Sequence, residues 1–178
     1  MRRAGVSRKV FYAHFHNRRE VLLAGQTLYF EQMIGAVASA LFNSTIPWPQ
    51  QIWDGCAAVT RCVARSPALG SATLLESYAL GPEGVRRADD SIAAWSLFFE
   101  EGRQQRPEAK DVPALICEAI FTAVREVTAD YLRHGRASEV PGLLPVFARV
   151  SLTPFIGREA TWQLIEGRLA AAQANKDG

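Results

Sequence analysis

The chain has 178 residues, 48% of them hydrophobic, and a net charge of +2. This is enough apolar material for one medium domain, or for a small one beside a fragment. Its three cysteines, Cys56, Cys62 and Cys117, are odd in number and show no C-x-x-C spacing, which excludes a disulfide framework and leaves them as small hydrophobes in a reducing compartment. Neither a signal peptide nor an 18-residue apolar run is evident, and Asn43-Ser44-Thr45 reads as a helix-ending loop rather than a glycosylation site. A cytoplasmic location and no membrane partner are expected.

Charge is unevenly spread. Residues 1–20 hold Arg2, Arg3, Arg8, Lys9, Arg18 and Arg19 against Glu20, a net of +5, which leaves −3 for the remainder. A basic head on a mildly acidic body fits an end facing nucleic acid, joined to a body facing a partner or ligand. Gly5 permits a tight turn, Ser7 suits an N-cap, and a short helix is expected from about Arg8 to Phe15. Phe11 and Phe15, four apart, share one face behind Val6, leaving Arg8, Lys9, Tyr12 and His14 to point outward. A helix apolar on one side and cationic on the other is what a major groove and its flanking phosphates require.

Asn17 caps a long helix reaching Phe42. Arg18, Arg19 and Glu20 occupy its first turn, and Val21, Leu22, Leu28, Tyr29, Met33, Ile34, Val37 and Leu41 recur at three-to-four spacing. Breaks at Asn43 to Pro49, Ser66-Pro67 and Gly81-Pro82 set off helices over about Pro49 to Arg65, Pro67 to Tyr78 and Gly84 to Gln104. The strongest pattern runs from Val112 to His134. Its stripe of Val112, Ile116, Ile120, Val124, Val127 and Tyr131 is broadened by Leu115, Ala119 and Ala123, and Gly135 is a natural terminator. Helices over Pro141 to Leu152 and Arg158 to Ala172 complete the chain, with a break at Pro154 to Gly157. No alternating strand pattern is present, so the expected class is all-α. Residues 1–42 are expected to form the second half of a helix-turn-helix with its connecting helix, and residues 43–178 a helical body facing a partner or ligand.

Ala4-Gly5-Val6-Ser7, Phe11-Tyr12, His14-Phe15, Asn17-Arg18 and Val21 together resemble the end of the DNA-binding domain of TetR-type (tetracycline-repressor-like) transcriptional regulators. That family carries a run of the form A-G-V-S-x-x-x-[FL]-Y-x-[HY]-F-x-[NS]-[KR]-x-x-[LV]. The resemblance implies that Ser7, Arg8, Lys9, Val10, Tyr12, His14 and Arg18 face a double-stranded DNA operator. Arg8 and Lys9 would approach base edges, arginine being suited to guanine. Val10 would touch a thymine methyl, where the family often has a hydroxyl residue. Tyr12, His14 and Arg18 would meet phosphates, with Arg18 beside a helix N-terminus that favours an anion.

It implies further a repressor controlled by a small hydrophobic or aromatic effector. The aromatic area in the middle helices offers a place for one, with Trp53, Glu76, Tyr78, Trp95, Phe99 and Phe121 as pocket candidates and Ser77 or Arg61 as polar additions. A homodimer through two late helices is implied as well, with Ile116, Ala119, Ile120, Ala123, Val124 and Trp162 as interface candidates. No cofactor or metal is expected, since His14 and His16 lack a third ligand. No zinc-protease, phosphate-loop, nucleophile-elbow or dinucleotide motif occurs, so an enzyme is not expected. The alternative is a helical ligand-binding or dimerisation protein without a DNA role.

In the family, a first helix and most of a second precede this run, whereas Met1-Arg2-Arg3 falls where the second would end. The chain is therefore expected to be an N-terminally truncated form that cannot fully bury the Val6, Phe11 and Phe15 face. In a gel-shift titration it should bind duplex DNA more weakly than a version extended upstream by those helices. Equal affinity would overturn this expectation.

Overall fold

A computed structural model describes residues 8–41, 45–77, 80–105 and 109–177; the side chains of 8–10, 41, 101–103, 105 and 175–177 are outside that description. Ser7 and Tyr78 lie outside the described residues, as do the side chains of Arg8, Lys9 and Val10. The described chain is helical throughout, with no strand. Its helices are α1 (Arg8–His14), α2 (Arg18–Leu41), α3 (Trp48–Arg65), α4 (Pro67–Leu74), α5 (Pro82–Gln105) and α6 (Ala114–Arg133), then a 3₁₀ helix (Ala137–Leu143) and α7 (Leu144–Asp177).

Local chemistry sets the ends. The Asn17 side-chain oxygen accepts the Glu20 backbone N–H at 2.9 Å, and the Glu20 carboxylate accepts the His16 backbone N–H at 2.7 Å. The Asn17 cap starts α2 where the sequence places it, and the Glu20 carboxylate ties the residue before the cap to the first turn. The His16 N–H also holds the exposed Glu20 carboxyl below its usual range. Pro49, Pro67 and Pro82 occupy first turns, where the missing N–H would have had no helical partner. At the end of α6, Gly135 takes φ +71°, its N–H bonds Leu132 O at 3.1 Å, and the Arg136 N–H bonds Tyr131 O at 2.8 Å. Those two bonds form the Schellman pattern that terminates a helix.

The molecule is organised around α3. Its face of Ile52, Trp53, Gly55, Ala57, Ala58, Thr60 and Val63 is buried, and it packs against α2, α4, the 3₁₀ helix and α7. Small residues at Gly55, Ala57 and Ala58 let those neighbours approach closely. One core cluster joins Val37, Trp48, Ile52, Trp53, Trp95, Phe99, Ile120, Leu152 and Phe155. A second joins Val63, Leu132, Ala137, Val140 and Phe147 at the other end of α3. Gly70 brings α4 close to α2 and α6: a Cβ there would stand 3.3 Å from both the Tyr29 hydroxyl and a Leu132 methyl.

The structure corrects the sequence reading in several places. Helix α4 ends at Leu74 rather than near residue 78, and α5 begins at Pro82 rather than Gly84. Leu28, placed on the inner stripe of α2, is 47% exposed, and Gln26 is buried there instead. The break expected over Pro154 to Gly157 falls at Gly157 (φ 77°, ψ 167°), and the helix that begins at Leu144 runs through Pro154 without one. Beyond the break, the Thr161 hydroxyl donates to Gly157 O at 2.7 Å. By length and composition the 38-residue stretch Ala137–Ala174 is apolar enough to cross a membrane, which the sequence reading had excluded. Here its inner residues Val140, Phe147, Ala148, Leu152, Phe155 and Ile165 are buried in the fold.

Leu152 is fully buried, whereas Leu97 on α5 is among the most exposed of the large apolar residues. Leu152→Ala should therefore destabilise by about 2–5 kcal/mol through lost transfer energy and a residual cavity. Leu97→Ala should stay within about 0.5 kcal/mol of the parent. Urea unfolding of the two variants checks the contrast.

Candidate functional site

Two adjoining cavities open between α2 and the helices around it, and they share Met33, Leu74, Trp95, Phe121 and Arg125 as a common wall. The first, about 90 Å³, is enclosed by Val37, Ile52, Val59, Phe98, Phe99, Ile120 and Phe147 among others. Trp95 stacks on Phe121 at 5.7 Å between ring centroids and meets Phe98 at 5.5 Å, so aromatic faces line the wall. The few polar groups at this end are already engaged. The Cys56 thiol lies 3.8 Å from the Ser151 hydroxyl, and the Thr128 hydroxyl donates to Val124 O at 2.7 Å. Burial pushes the Cys56 thiol up to about 11, with the Ser151 bond working the other way, so it stays protonated at neutral pH.

The second cavity, about 230 Å³, has a mainly apolar lining but gathers more polar side chains than the first. Gln26, Thr27 and Tyr29 of α2 face Thr73 of α4, Ser77, and Arg87, Asp90 and Ser91 of α5 across it. The Gln26 amide nitrogen donates to Ala72 O and to the Ser77 hydroxyl, both at 3.4 Å. Because a carbonyl needs a donor, the Ala72 contact fixes which way the amide points. Ser77 in turn donates to Thr73 O. Burial, with a contribution from nearby Cys62, holds the Tyr29 phenol protonated far above its usual range. Arg87 donates to Leu23 O at 3.2 Å and to the Thr27 hydroxyl at 3.0 Å, and pairs with Glu83 at 3.3 Å.

A chain of contacts runs from this cavity to the start of α2. Glu83 also holds Arg19 at 2.6 Å, and Arg18 pairs with Glu76 at 2.7 Å. The segment between α4 and α5 thus touches the second cavity through Ser77 and Arg18 through Glu76, while Arg19 is held from the first turn of α5. Immediately before that turn, α1 presents Tyr12, 58% exposed, and an exposed His14. Phe11 and Phe15 pack on each other at 5.8 Å, on the side the sequence assigns to the interior.

The predicted residues divide accordingly. Trp95, Phe99 and Phe121 line the first cavity, and Ser77 lines the second. Trp53 lines neither cavity; it is a core residue, because α3 turns it toward the first cluster. Glu76 also lies off the pocket, since its carboxylate is drawn outward to Arg18. Arg61 is exposed. Tyr12, His14 and Arg18 are exposed.

Among the interface candidates, Ala119, Ala123 and Trp162 are exposed, but Ile120 is buried in the core. Ile116 packs against that core and Val124 lines the apolar cavity, so these three face inward. Their outward counterparts on α6 are Leu115, 69% exposed, and Val127, 42% exposed. With Ala119 and Ala123 they form a stripe at four-residue spacing.

Sequence reasoning missed Gln26, Tyr29, Arg87 and Arg125 as pocket residues. One signal was present: Leu22, Gln26, Tyr29, Met33 and Val37 recur at helical spacing, and a glutamine inside such a stripe marks a polar group turned inward. Comparison with protein-family models, curated proteins and solved structures finds no match to this chain.

Proposed function

We propose that this chain belongs to a DNA-binding transcriptional regulator, most simply a repressor, whose DNA affinity is set by a small molecule held in the paired cavities. The observation that carries the reading is the pair of ion contacts Arg18–Glu76 and Arg19–Glu83. They join Arg18, assigned to phosphate binding, to Glu76 beside the cavity-lining Ser77, and its neighbour Arg19 to Glu83 in the first turn of α5. A ligand favouring one placement of these carboxylates would favour one placement of the arginines, and DNA release would follow from that differential affinity.

Magnitudes suit this scheme. Exposed ion pairs contribute about 0.2–1 kcal/mol, and a coupling free energy of about 1–3 kcal/mol is enough for allosteric control. Phosphates can therefore compete with Glu76 for Arg18. Self-pairing fits as well: the exposed stripe of Leu115, Ala119, Ala123 and Val127 on α6, with Trp162 and Leu169 on α7, gives an apolar surface for a second copy. A two-fold pair would set two reading helices about 34–36 Å apart, one turn of DNA.

Two measurements test the reading. In salt titrations of binding to a random-sequence duplex, Arg18→Ala should weaken affinity and flatten the log–log slope by roughly one. Glu76→Gln, which frees Arg18, should strengthen binding. No change in either variant, in the chain itself and in an upstream-extended version, would remove the DNA role. In light scattering at micromolar concentration the protein should be a dimer, and Leu115→Glu with Val127→Glu should give monomers. A monomeric parent would defeat the assembly.

A further inference from the structure

The surface that the first cavity presents to a guest is almost wholly apolar. Cys56, Arg125, Thr128 and Ser151 are the polar side chains of its lining, and each is engaged within the protein. The Thr128 hydroxyl donates to Val124 O at 2.7 Å, Arg125 donates to Leu74 O at 3.2 Å, and the Cys56 thiol lies 3.8 Å from the Ser151 hydroxyl. The buried side-chain atoms that lack a partner among the described residues belong to Gln26, Tyr29, Gln51 and Thr73, and none of these residues lines this cavity. A hydroxyl, amide or carboxylate brought in from water would therefore give up its hydrogen bonds for contact with carbon.

Size and shape narrow the guest further. At about 90 Å³ the cavity is smaller than the apolar cavity of about 150 Å³ that admits benzene in another protein, so a single six-membered ring already fills it. Its walls are aromatic. The Trp95 and Phe121 rings lie within 15° of parallel, and Phe98 is tilted by 60° against Trp95. A flat ring finds both offset-stacked and edge-on contacts on such walls. Met33, in the wall shared with the second cavity, is a flexible thioether that follows the outline of a ring. No residue lining the first cavity is exposed, whereas the second reaches the exposed Thr27 and Asp90. The second cavity is thus the approach and the first the seat.

We infer that the ligand of this body is a single-ring hydrocarbon, or a halogenated analogue, without hydrogen-bonding substituents, seated in the first cavity against Trp95 and Phe121. This rests on the reading of the body as ligand-binding, and narrows it to one chemical class and one of the two chambers.

Calorimetry on the full chain with toluene, phenol and benzoate tests it. Toluene should bind roughly ten-fold or more tighter than phenol, and benzoate should be the weakest of the three. Val59→Leu and Val124→Leu, which fill the seat from α3 and α6, should each weaken toluene several-fold, with helicity by circular dichroism unchanged. Met33→Gln, which brings an amide to the edge of the seat, should narrow the gap between toluene and phenol. Phenol or benzoate binding as tightly as toluene overturns the inference while the ligand-binding body stands, and this arm needs no variant. Toluene binding untouched by both leucine substitutions overturns it in the same way. Failure of all three probes to bind removes the ligand-binding body along with it.

Discussion

Everything in this structure depends on α2 being one uninterrupted rod. It has 24 residues and no proline, so at about 1.5 Å per residue it spans roughly 36 Å. Its first turn carries Arg18 and Arg19 beside α1, and its middle carries Gln26, Tyr29 and Met33 into the cavities. Because α3 and α4 pack along α2, the turn that lines the cavities and the turn that holds the arginine pairs sit on one supported helix.

The second constraint is the balance between firm and weak contacts. The core around α3 is sealed by buried aromatic and aliphatic residues, whereas the links from the α4–α5 junction to α2 are exposed ion pairs. A dense interior resists deformation, while surface charges re-pair at small cost. The weaker contacts are thereby gathered at the junction and the start of α2. Arg87 reinforces the arrangement from α5, holding a carbonyl and a hydroxyl of α2 together with Glu83.

Much of the architecture was legible in the residues. The Asn17 cap, the proline-led starts of α3 and α4 and the Gly135 terminator stand where their chemistry puts them. What escaped was mostly rotational. On α2 the apolar Leu28 was preferred to Gln26 because burial of a glutamine depends on partners 46 and 51 residues away. On α6 both flanks are apolar, so periodicity could not say whether Ile120 or Leu115 faces the core; packing against α5 decides it. Glu76 looked like a pocket acid because its true partner, Arg18, lies 58 residues earlier. Orphaned atoms such as the Tyr29 hydroxyl have no sequence signature.

Gly157 has a consequence of a different kind. Its φ and ψ lie in a region that only glycine occupies comfortably, and the Arg149 guanidinium lies 4.2 Å over the Trp162 ring on the far side of the bend. The bend divides α7 into limbs of about 13 and 20 residues, roughly 20 and 30 Å long. The shorter limb falls short of a hydrocarbon layer about 30 Å thick, and the longer one carries Arg158, Glu159, Glu166, Arg168, Lys176 and Asp177. The bend thus parts a short apolar limb from a longer one that is charged along its length.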